Sequence, residues 1–390
     1  MKRTTYILIA FAIIIYGCTK PFNPPGVATN ANILVVEGLI NTGADSTIIN
    51  LSRTVIVANK TTANPETKAI ITVENAQGTV GTLTETVKGT YVTPPLKLDN
   101  TKQYRLRIKT SNGKIYLSDL VDAKVSQPID SIGYNITSAG LQLYTNTHDP
   151  NNNTRYYKYD FQETWQFHAK YASDYITNGT AIVSRTPAQQ NYYCFGNDNS
   201  TNILINSTAA LSQDVVYQFP ITSIPSSSEK IETKYSILLK QQALTSDAYA
   251  FWQNLKKNTE QLGSIFDAQP STLTGNIHNI ANASEPVIGY ISAGTIQQKR
   301  IFIDRLSLPL SWTTAYPYTC EIDTDYFNHP KSNPPQNDVL LYLIPLGGSQ
   351  IPTEPFFLGL SPNPDGYLSA YIPCVDCTIR GNIKQPAFWK

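Results

Sequence analysis

Charged residues are scarce in this sequence. Lysine and arginine together number 30 and aspartate and glutamate 29, so that charged side chains make up only 15% of the chain and the net charge is +1. Soluble proteins usually have about a quarter of their residues charged. A nearly neutral chain without a basic cluster lacks the electrostatic signature of nucleic-acid binding. We therefore expect no nucleic-acid partner.

Long apolar runs are lacking as well. The apolar run at the N-terminus, residues 6–16, has about eleven residues, whereas a membrane-spanning helix needs about 20. Two basic residues precede it, which is the layout of a secretory signal. The tetrapeptide Ile15-Tyr16-Gly17-Cys18 resembles a bacterial lipobox, whose cysteine is acylated and becomes the mature N-terminus. We predict that residues 1–17 are a lipoprotein signal peptide and that Cys18 is attached to lipid; a cleaved soluble signal is the alternative.

The residues after Cys18 indicate a location. Thr19 and Lys20 follow it, and neither is the aspartate that commonly retains lipoproteins at the inner membrane. We expect an outer-membrane, lipid-anchored protein, and exposure at the cell surface is left open. Residues 18–32 contain three prolines and few apolar groups, so they are predicted to be a tether.

Cysteines are few, and the four beyond Cys18 suit an exported protein. An even number in an oxidising compartment indicates two disulfides, for which three connectivities are open. A thioredoxin-like C-x-x-C opens a helix, whereas the C-x-x-C here lies in a stretch that we expect to be extended. A zinc site requires a second close pair of ligands, which the spacing does not offer. The disulfide candidates are Cys194, Cys320, Cys374 and Cys377.

Length and pattern predict two β-domains. About 370 residues remain after the signal peptide, which suits two domains. Residues 33–125 are expected to form an immunoglobulin-like β-sandwich, although they lack the cysteine and tryptophan signature of antibody domains. The strands predicted there are 33–36, 47–51, 70–74, 83–87, one near Tyr91, 104–109 and 115–117.

Residues 126–390 are predicted to form a larger β-sandwich-type domain with one inserted amphipathic helix. The predicted strands are 141–146, 155–168, 180–184, 192–195, 215–220 and 231–239. Strict alternation along the second of these places a set of mainly aromatic side chains on one face, namely Tyr157, Tyr159, Phe161, Glu163 and Trp165.

The helix is expected near residues 246–262. Thr245 or Ser246 can cap its first turn, and Gly263 can end it. Trp252 is expected to anchor the helix in the core. The face predicted to point inward consists of Ala248, Trp252, Leu255, Thr259 and Leu262.

Candidate sites for metal ions are weak. The stretch with Asp149, Asn151 and Asn153 superficially resembles a calcium loop, but Thr154 replaces the required glycine, so that a polar turn is the preferred interpretation. Alternating acids could gather oxygen ligands on one strand face or in a loop, and a solvated loop is preferred; these acids are Glu321, Asp323 and Asp325. The histidines lack the spacing of a zinc site and are expected to be structural or surface residues; they are His148, His168, His278 and His329.

Catalytic motifs are also lacking. No Gly-x-Ser-x-Gly elbow, phosphate loop or dinucleotide motif is present in the sequence. Glu163, which lies among aromatic residues, is the most interesting single acid, and it is expected to be hydrogen-bonded to tyrosine or arginine neighbours. We expect no enzyme activity, no metal and no cofactor.

Several stretches carry a resemblance to a known family. The chain resembles domain-of-unknown-function family 4249, a family of uncharacterised Bacteroidetes outer-membrane lipoproteins, and the resemblance extends to the C-terminal end. The stretches that carry it are 235–241, Phe251-Trp252, 263–266, Gly275-Asn276-Ile277, 285–290, 299–303, 374–377, Arg380-Gly381 and 386–389. Members of this family are commonly encoded beside TonB-dependent receptors, which implies a role in nutrient uptake by association only.

The sequence therefore favours a non-catalytic lipoprotein held at the outer membrane through Cys18. The resemblance implies an accessory role, in binding the nutrient or in capping the receptor, with a TonB-dependent receptor as the partner. A stand-alone adhesin or glycan-binding surface protein is the alternative. The small-molecule or glycan ligand stays unknown at this level.

Overall fold

A computed structural model describes residues 32–55, 64–260, 274–360 and 362–390. Strands dominate it, which confirms the all-β class. The signal peptide, Cys18 and nearly all of the tether lie outside the described residues, as do Leu262 and Gly263. Within the described ranges, none of the helices has both the length and the apolar character needed to cross a membrane.

The described residues form 24 strands, with two helices and several single helical turns. The strands are β1 (Leu34–Asn41), β2 (Thr47–Arg53), β3 (Ile70–Asn75), β4 (Gly78–Val87), β5 (Thr90–Thr93), β6 (Gln103–Lys109), β7 (Ile115–Ser118), β8 (Val121–Lys124), β9 (Ile129–Thr137), β10 (Gly140–Asp149), β11 (Tyr156–His168), β12 (Tyr175–Thr177), β13 (Ile182–Ser184), β14 (Tyr193–Asn199), β15 (Leu204–Ser207), β16 (Asp214–Pro225), β17 (Lys234–Ala243), β18 (Ile277–Asn279), β19 (Val287–Ile288), β20 (Ser292–Gly294), β21 (Ile296–Asp304), β22 (Ile322–Tyr326), β23 (Gln350–Phe356) and β24 (Gly366–Tyr371). The helices are α1 (Ser246–Glu260) and α2 (Ile372–Val375), and the single turns are Pro187–Gln189, Glu229–Ile231, Arg305–Ser307, Val339–Leu343 and Cys377–Ile379.

The first seven strands agree with the predicted ones. Within the described part of the chain they form one continuous path, β18-β7-β6-β3-β4-β5-β2-β1-β20-β8, and β8 pairs back onto β6. This circuit surrounds one core, and the predicted division into the two sheets of an immunoglobulin-like sandwich is not confirmed. The long strand β4 makes this arrangement possible, because its first half pairs with β3 and its second half with β5, with a register shift in each pairing.

Three short strands of this circuit come from much later in the chain. β18 adds to β7, while β19 and β20 run parallel to β1. Ile277, Val287, Ile291 and Ala293 are buried in the same core as the N-terminal strands. The predicted domain division implies that residues 33–125 build the first sheet alone. The structure shows that residues from the middle of the chain also belong to it. The division of the chain into domains otherwise stays a prediction.

The middle of the chain builds two further sheets over a second core. One has the order β16-β10-β9 and the other β14-β11-β17-β21, with β15 also on β11. The predicted alternation of β11 is confirmed, because Tyr157, Tyr159, Phe161 and Trp165 are all buried in the core between these sheets. β14 and β16 are edge strands of their sheets, and β14 also forms a backbone bridge from Phe195 to Asn382.

The last part of the chain has a small core of its own. Strands β22, β24 and β23 form a three-stranded sheet, and Ala370, Cys374 and Val375 are buried beside it. The cysteines form two disulfides, Cys320–Cys374 and Cys194–Cys377, so the two cysteines of the C-x-x-C pair with different partners. The extended backbone predicted for the C-x-x-C is wrong: Pro373 occupies the first turn of α2, where its fixed φ angle and missing N–H favour a helix start.

Helix α1 starts as predicted but turns a different face inward. The Thr245 hydroxyl accepts a hydrogen bond from the Ala248 amide at 3.2 Å, so Thr245 is the cap. Ala248 and Phe251 are the buried residues of the helix, whereas Trp252 is half-buried and Thr259 is exposed. Phe251 replaces Trp252 as the anchor because it packs against Tyr290 at 5.5 Å between ring centroids.

Candidate functional site

A polar cluster of the second core surrounds Glu163. Strands β11 and β14 place Glu163 directly opposite Asp198 in their antiparallel register. Like charges at directly opposite positions of a sheet destabilise it. The Lys230 ammonium lies between them, 2.5 Å from Glu163 Oε2 and 3.7 Å from Asp198 Oδ2. One lysine therefore neutralises part of a repulsive carboxylate pair.

Glu163 is held from its other side by a tyrosine. The Tyr235 hydroxyl donates a hydrogen bond to Glu163 Oε1 at 2.6 Å, and Glu163 is only 4% exposed. Burial, together with the neighbouring carboxylate, raises the pKa of Tyr235 well above its ordinary value. The prediction that Glu163 would be satisfied by neighbouring hydrogen-bond donors is confirmed, with lysine in place of arginine.

Lys230 lies over the indole ring of Trp165, which has room beside Gly196. Its ammonium is 4.9 Å from the ring centroid of Trp165, within the range of a cation–π interaction. Gly196 is the cross-strand partner of Trp165, and a Cβ atom at Gly196 would lie 2.4 Å from the indole. The missing side chain therefore lets the indole lie flat across β14.

Two contacts fix the start of the turn that carries Lys230. The Ser228 side chain accepts a hydrogen bond from the Lys230 amide at 3.2 Å and caps the turn Glu229–Ile231. Arg380, from the C-terminal segment, forms an ion pair with Glu229. The C-terminal segment is itself attached to the sheet by the Cys194–Cys377 disulfide. These contacts fix the position of the ammonium.

A cleft opens above this cluster, between the edge strands β14 and β16. Its volume is about 380 Å³, which is within the range of small-ligand pockets. Phe161 and Ile221 are apolar residues of its wall, and Glu163, Asp198 and Lys230 are its charged residues. Hydroxyl and amide side chains line the rest, namely Asn199, Ser200, Thr201, Asn202, Thr222 and Ser223.

A second feature is an exposed apolar turn in the C-terminal part. The turn Val339–Leu343 is of the π type, and it buries Val339 and Leu343. The residues between them must then point outward. The outward side chains, which together with Leu346 we call the apolar turn, are Leu340 at 58% exposure, Leu341 at 52%, Tyr342 at 51% and Leu346 at 74%.

Two other polar candidates from the sequence have structural partners. Asp149 accepts hydrogen bonds from the backbone amides of Asn151, Asn153 and Thr154 at 2.8–3.0 Å, as the preferred polar turn requires. Asp325 is buried and accepts a hydrogen bond from the Ser369 hydroxyl at 2.5 Å, and burial raises its pKa.

The alternating acids do not gather into a metal site. Glu321 precedes β22, and Asp323 accepts a hydrogen bond from the Gln350 amide. In the part of the chain that the structure describes, no three His, Cys, Asp or Glu side chains lie close enough together to hold a metal ion.

The histidines are dispersed, and each has a carboxylate neighbour. The pairs are His148 with Asp130 at 2.7 Å, His168 with Glu232 at 3.6 Å, His278 with Asp119 at 3.6 Å, and His329 with Asp338 at 2.8 Å. The hydrogen bond to Asp130 raises the pKa of His148. The structure brings none of the four histidines to the cleft.

Sequence reasoning identified Glu163 but missed its two charged partners. Asp198 lies beyond the strand predicted at 192–195, and nothing in the sequence shows that it faces Glu163. Lys230 follows the run Ser226-Ser227-Ser228-Glu229, which reads only as a polar turn. The Ser228 cap was the one local signal that could have marked the start of this turn.

The strands and disulfides define the class: a disulfide-stabilised, all-β protein. A comparison with family models matches residues 19–300 to the family described as Domain of unknown function (DUF4249). This range covers well over half of the chain, so the chain belongs to this family. The matched range ends before the C-terminal stretches that were included in the predicted resemblance. A comparison with curated proteins found no match.

Proposed function

We propose that this protein is a non-catalytic, outer-membrane lipoprotein that acts as an accessory component of a TonB-dependent nutrient uptake system. In this role it binds the nutrient or caps the receptor, and acylated Cys18 holds it at the membrane. The support for the anchor is the lipobox-like sequence, and the support for the partner is the implied association of this family with TonB-dependent receptors.

The structural observation that carries the proposal is the apolar turn. Large apolar side chains exposed together commonly mark sites of contact with a protein or a membrane. No lysine or arginine occurs between Lys331 and Arg380. An anionic membrane surface attracts basic segments, and this segment supplies no basic residue of its own, so we infer that an apolar protein surface suits it better. We therefore assign the receptor contact to the apolar turn.

Copurification tests this assignment. The full chain is solubilised from its native membranes in a mild detergent, and a TonB-dependent receptor is expected to be recovered with it. The variant Leu340→Ser/Leu341→Ser should lose the receptor. The control Leu306→Ser/Leu310→Ser, which changes leucines of 93% and 86% exposure outside the turn, should retain it. Recovery of the wild-type protein without any receptor would refute the proposal.

A stand-alone glycan-binding surface protein is the second candidate. The observation that favours it is the polar cleft beside Glu163, which needs no transporter to bind a ligand. The two candidates differ in the copurification experiment, because a stand-alone protein is recovered alone.

A further inference from the structure

The neutral polar side chains of the cleft suit a ligand that both donates and accepts hydrogen bonds. Six Asn, Ser and Thr residues line it, and each amide or hydroxyl offers both donor and acceptor groups. A purely apolar ligand would leave these groups without partners, at a cost for each one. The ligand must therefore carry several polar groups of its own.

The charges of the cleft select against charged ligands. Both oxygens of Glu163 are already occupied, by Tyr235 and Lys230, and Asp198 shares the same ammonium. Two carboxylates against one ammonium leave the cleft with an excess of negative charge, which repels anions. A cation would have to compete with Lys230. A neutral ligand leaves this network intact and can form charge-assisted hydrogen bonds with Asp198 and Lys230.

A second cluster in the same molecule has a similar arrangement but a different third partner. Glu285 accepts hydrogen bonds from Tyr116 at 2.6 Å and from Lys114 at 2.8 Å, the same tyrosine–glutamate–lysine set as at Glu163. Its third partner is the neutral amide of Asn279. The Glu163 cluster has instead a second carboxylate, Asp198, in an unfavourable position opposite the first. Because the Glu285 cluster has no second carboxylate, we infer that holding β11 in place does not by itself require Asp198.

We propose that the cleft between β14 and β16 binds a neutral, polyhydroxylated small molecule of the carbohydrate class. Asp198 accepts hydrogen bonds from ligand hydroxyls, and Lys230, positioned by Glu163 and Trp165, donates to a ligand oxygen. Thr222 and Ser223 of β16 close the opposite wall. This inference goes beyond the proposed function, which names no ligand class, and the residues of the cleft carry it.

The test uses the purified full chain in mild detergent on an array of neutral mono- to tetrasaccharides, with uronic-acid, sulfated and amino sugars as charged comparisons. Neutral sugars should bind, and the best neutral ligand should bind about tenfold or more weakly to Asp198→Asn, because a hydrogen bond to a charged group is lost. Thr222→Val should also weaken binding. No binding of any neutral sugar, or preferential binding of charged ones, would overturn the proposal.

A double variant keeps the test informative if single charge removal unfolds the protein. Lys230→Met alone leaves Glu163 as an unpaired buried charge, which is strongly destabilising. Glu163→Gln/Lys230→Met removes both charges and should abolish sugar binding. The matched control Glu285→Gln/Lys114→Met makes the same change in the first sheet and should bind as the wild type does. Equal binding by both double variants would contradict the assignment.

The two proposals fail separately. A chain that copurifies with a receptor but binds no neutral sugar refutes only the ligand class. A chain that binds neutral sugars but recovers no receptor refutes only the transporter role.

Discussion

Tyrosine hydroxyls are the partners of carboxylates at four places in the described chain. Each donates a hydrogen bond of 2.5–2.6 Å to a buried or half-buried acid, in the pairs Tyr116–Glu285, Tyr157–Asp214, Tyr235–Glu163 and Tyr316–Glu232. A buried carboxylate requires hydrogen-bond donors, and this sequence has few basic residues to supply them. Its 24 tyrosines fill part of that role.

The pKa values of Tyr116 and Glu285 show the effect of such a pair. Burial, followed by the hydrogen bond to the Glu285 carboxylate, raises the pKa of Tyr116 to about 12. Burial by itself raises the pKa of the Glu285 carboxyl, but hydrogen bonds from Lys114, Tyr116 and Asn279 outweigh it and hold this pKa below its usual range. The pair is therefore most stable with a protonated tyrosine and an ionised glutamate.

This pair predicts a specific alkaline sensitivity. Because the folded-state pKa of Tyr116 is raised, its contribution to stability is fully present below the ordinary value of 10.0 and is lost as the pH rises toward about 12. In Tyr116→Phe the free energy of unfolding should fall less steeply with pH in this window, although it should be about 1–3 kcal/mol lower at pH 7 because Glu285 loses a donor. Urea unfolding at a series of pH values measures both the free energy at pH 7 and its slope with pH.

Tyr217→Phe, at a tyrosine of 76% exposure, is the control for this measurement. A Tyr116→Phe curve as steep as that of the wild type would contradict the assigned role of the Tyr116–Glu285 pair.

Among the elements, the segment with β18, β19 and β20 contains two of the stretches that carry the family resemblance, and several of their residues attach it to the first sheet. The Asn276 side chain holds the two ends of this segment together. Its amide donates a hydrogen bond to the Ile291 carbonyl and its oxygen accepts one from the Ile291 backbone amide, both at 2.9 Å. Glu285 fixes the segment to β7 through Tyr116 and to Lys114. Gly275 and Gly289 cross in contact, because a Cβ atom on Gly275 would lie 1.8 Å from the Gly289 carbonyl oxygen. The stretches 275–277 and 285–290 therefore insert this segment into the first sheet.

Substitution of Gly289 tests the insertion. Its φ of +143° disfavours any side chain, and a Cβ atom there would lie 2.2 Å from the Val36 carbonyl oxygen. Gly289→Ala should lower the free energy of unfolding by at least about 2 kcal/mol. Gly78→Ala has a similar φ of +130° with nothing within 4 Å of the added atom, and should cost only about 1 kcal/mol. If denaturant unfolding shows equal losses of unfolding free energy for Gly289→Ala and Gly78→Ala, the close contact with Val36 is not the cause of the loss at Gly289.

The sequence predicts elements here better than it predicts their partners. Alternation located the strands because burial of one face imposes a period of two, and it identified the inward face of β11. It could not show that β18–β20 pair with strands more than 150 residues earlier, since register and partner depend on the whole sheet. The disulfide connectivity was left open for the same reason. In α1 Phe251, and not the expected Trp252, is the anchor, because it packs against Tyr290, a residue of the inserted segment.

In the molecule as a whole, strand pairing and a disulfide connect the first sheet, the sheets of the middle of the chain and the C-terminal segment. The inserted strands join the middle of the chain to the first sheet, and the Cys194–Cys377 disulfide joins the C-terminal segment to β14. That segment also places Trp389 against Phe195 and Phe302, with ring centroids 5.1 and 5.6 Å apart. The position of Lys230 in the cleft thus depends on the end of the chain through Arg380.

The anchor is predicted from sequence alone and can be measured directly. Mass spectrometry of the N-terminal peptide of the membrane-extracted protein should find Cys18 as the first residue, carrying acyl chains. Cys18→Ser should release the protein from membranes, since the apolar signal is too short to span a bilayer. An unmodified N-terminus on either side of Cys18 would exclude the lipoprotein.

A photocrosslink from the apolar turn in living cells reports on the proposed receptor contact without purification. A photoreactive benzophenone side chain replaces Leu341 in one strain and Leu306 in a control strain, and crosslinked products are identified by mass spectrometry. We expect position 341 to crosslink to a TonB-dependent receptor of the outer membrane and position 306 not to. Crosslinks from position 341 to lipid alone, or to the same proteins as position 306, would contradict the proposed receptor contact.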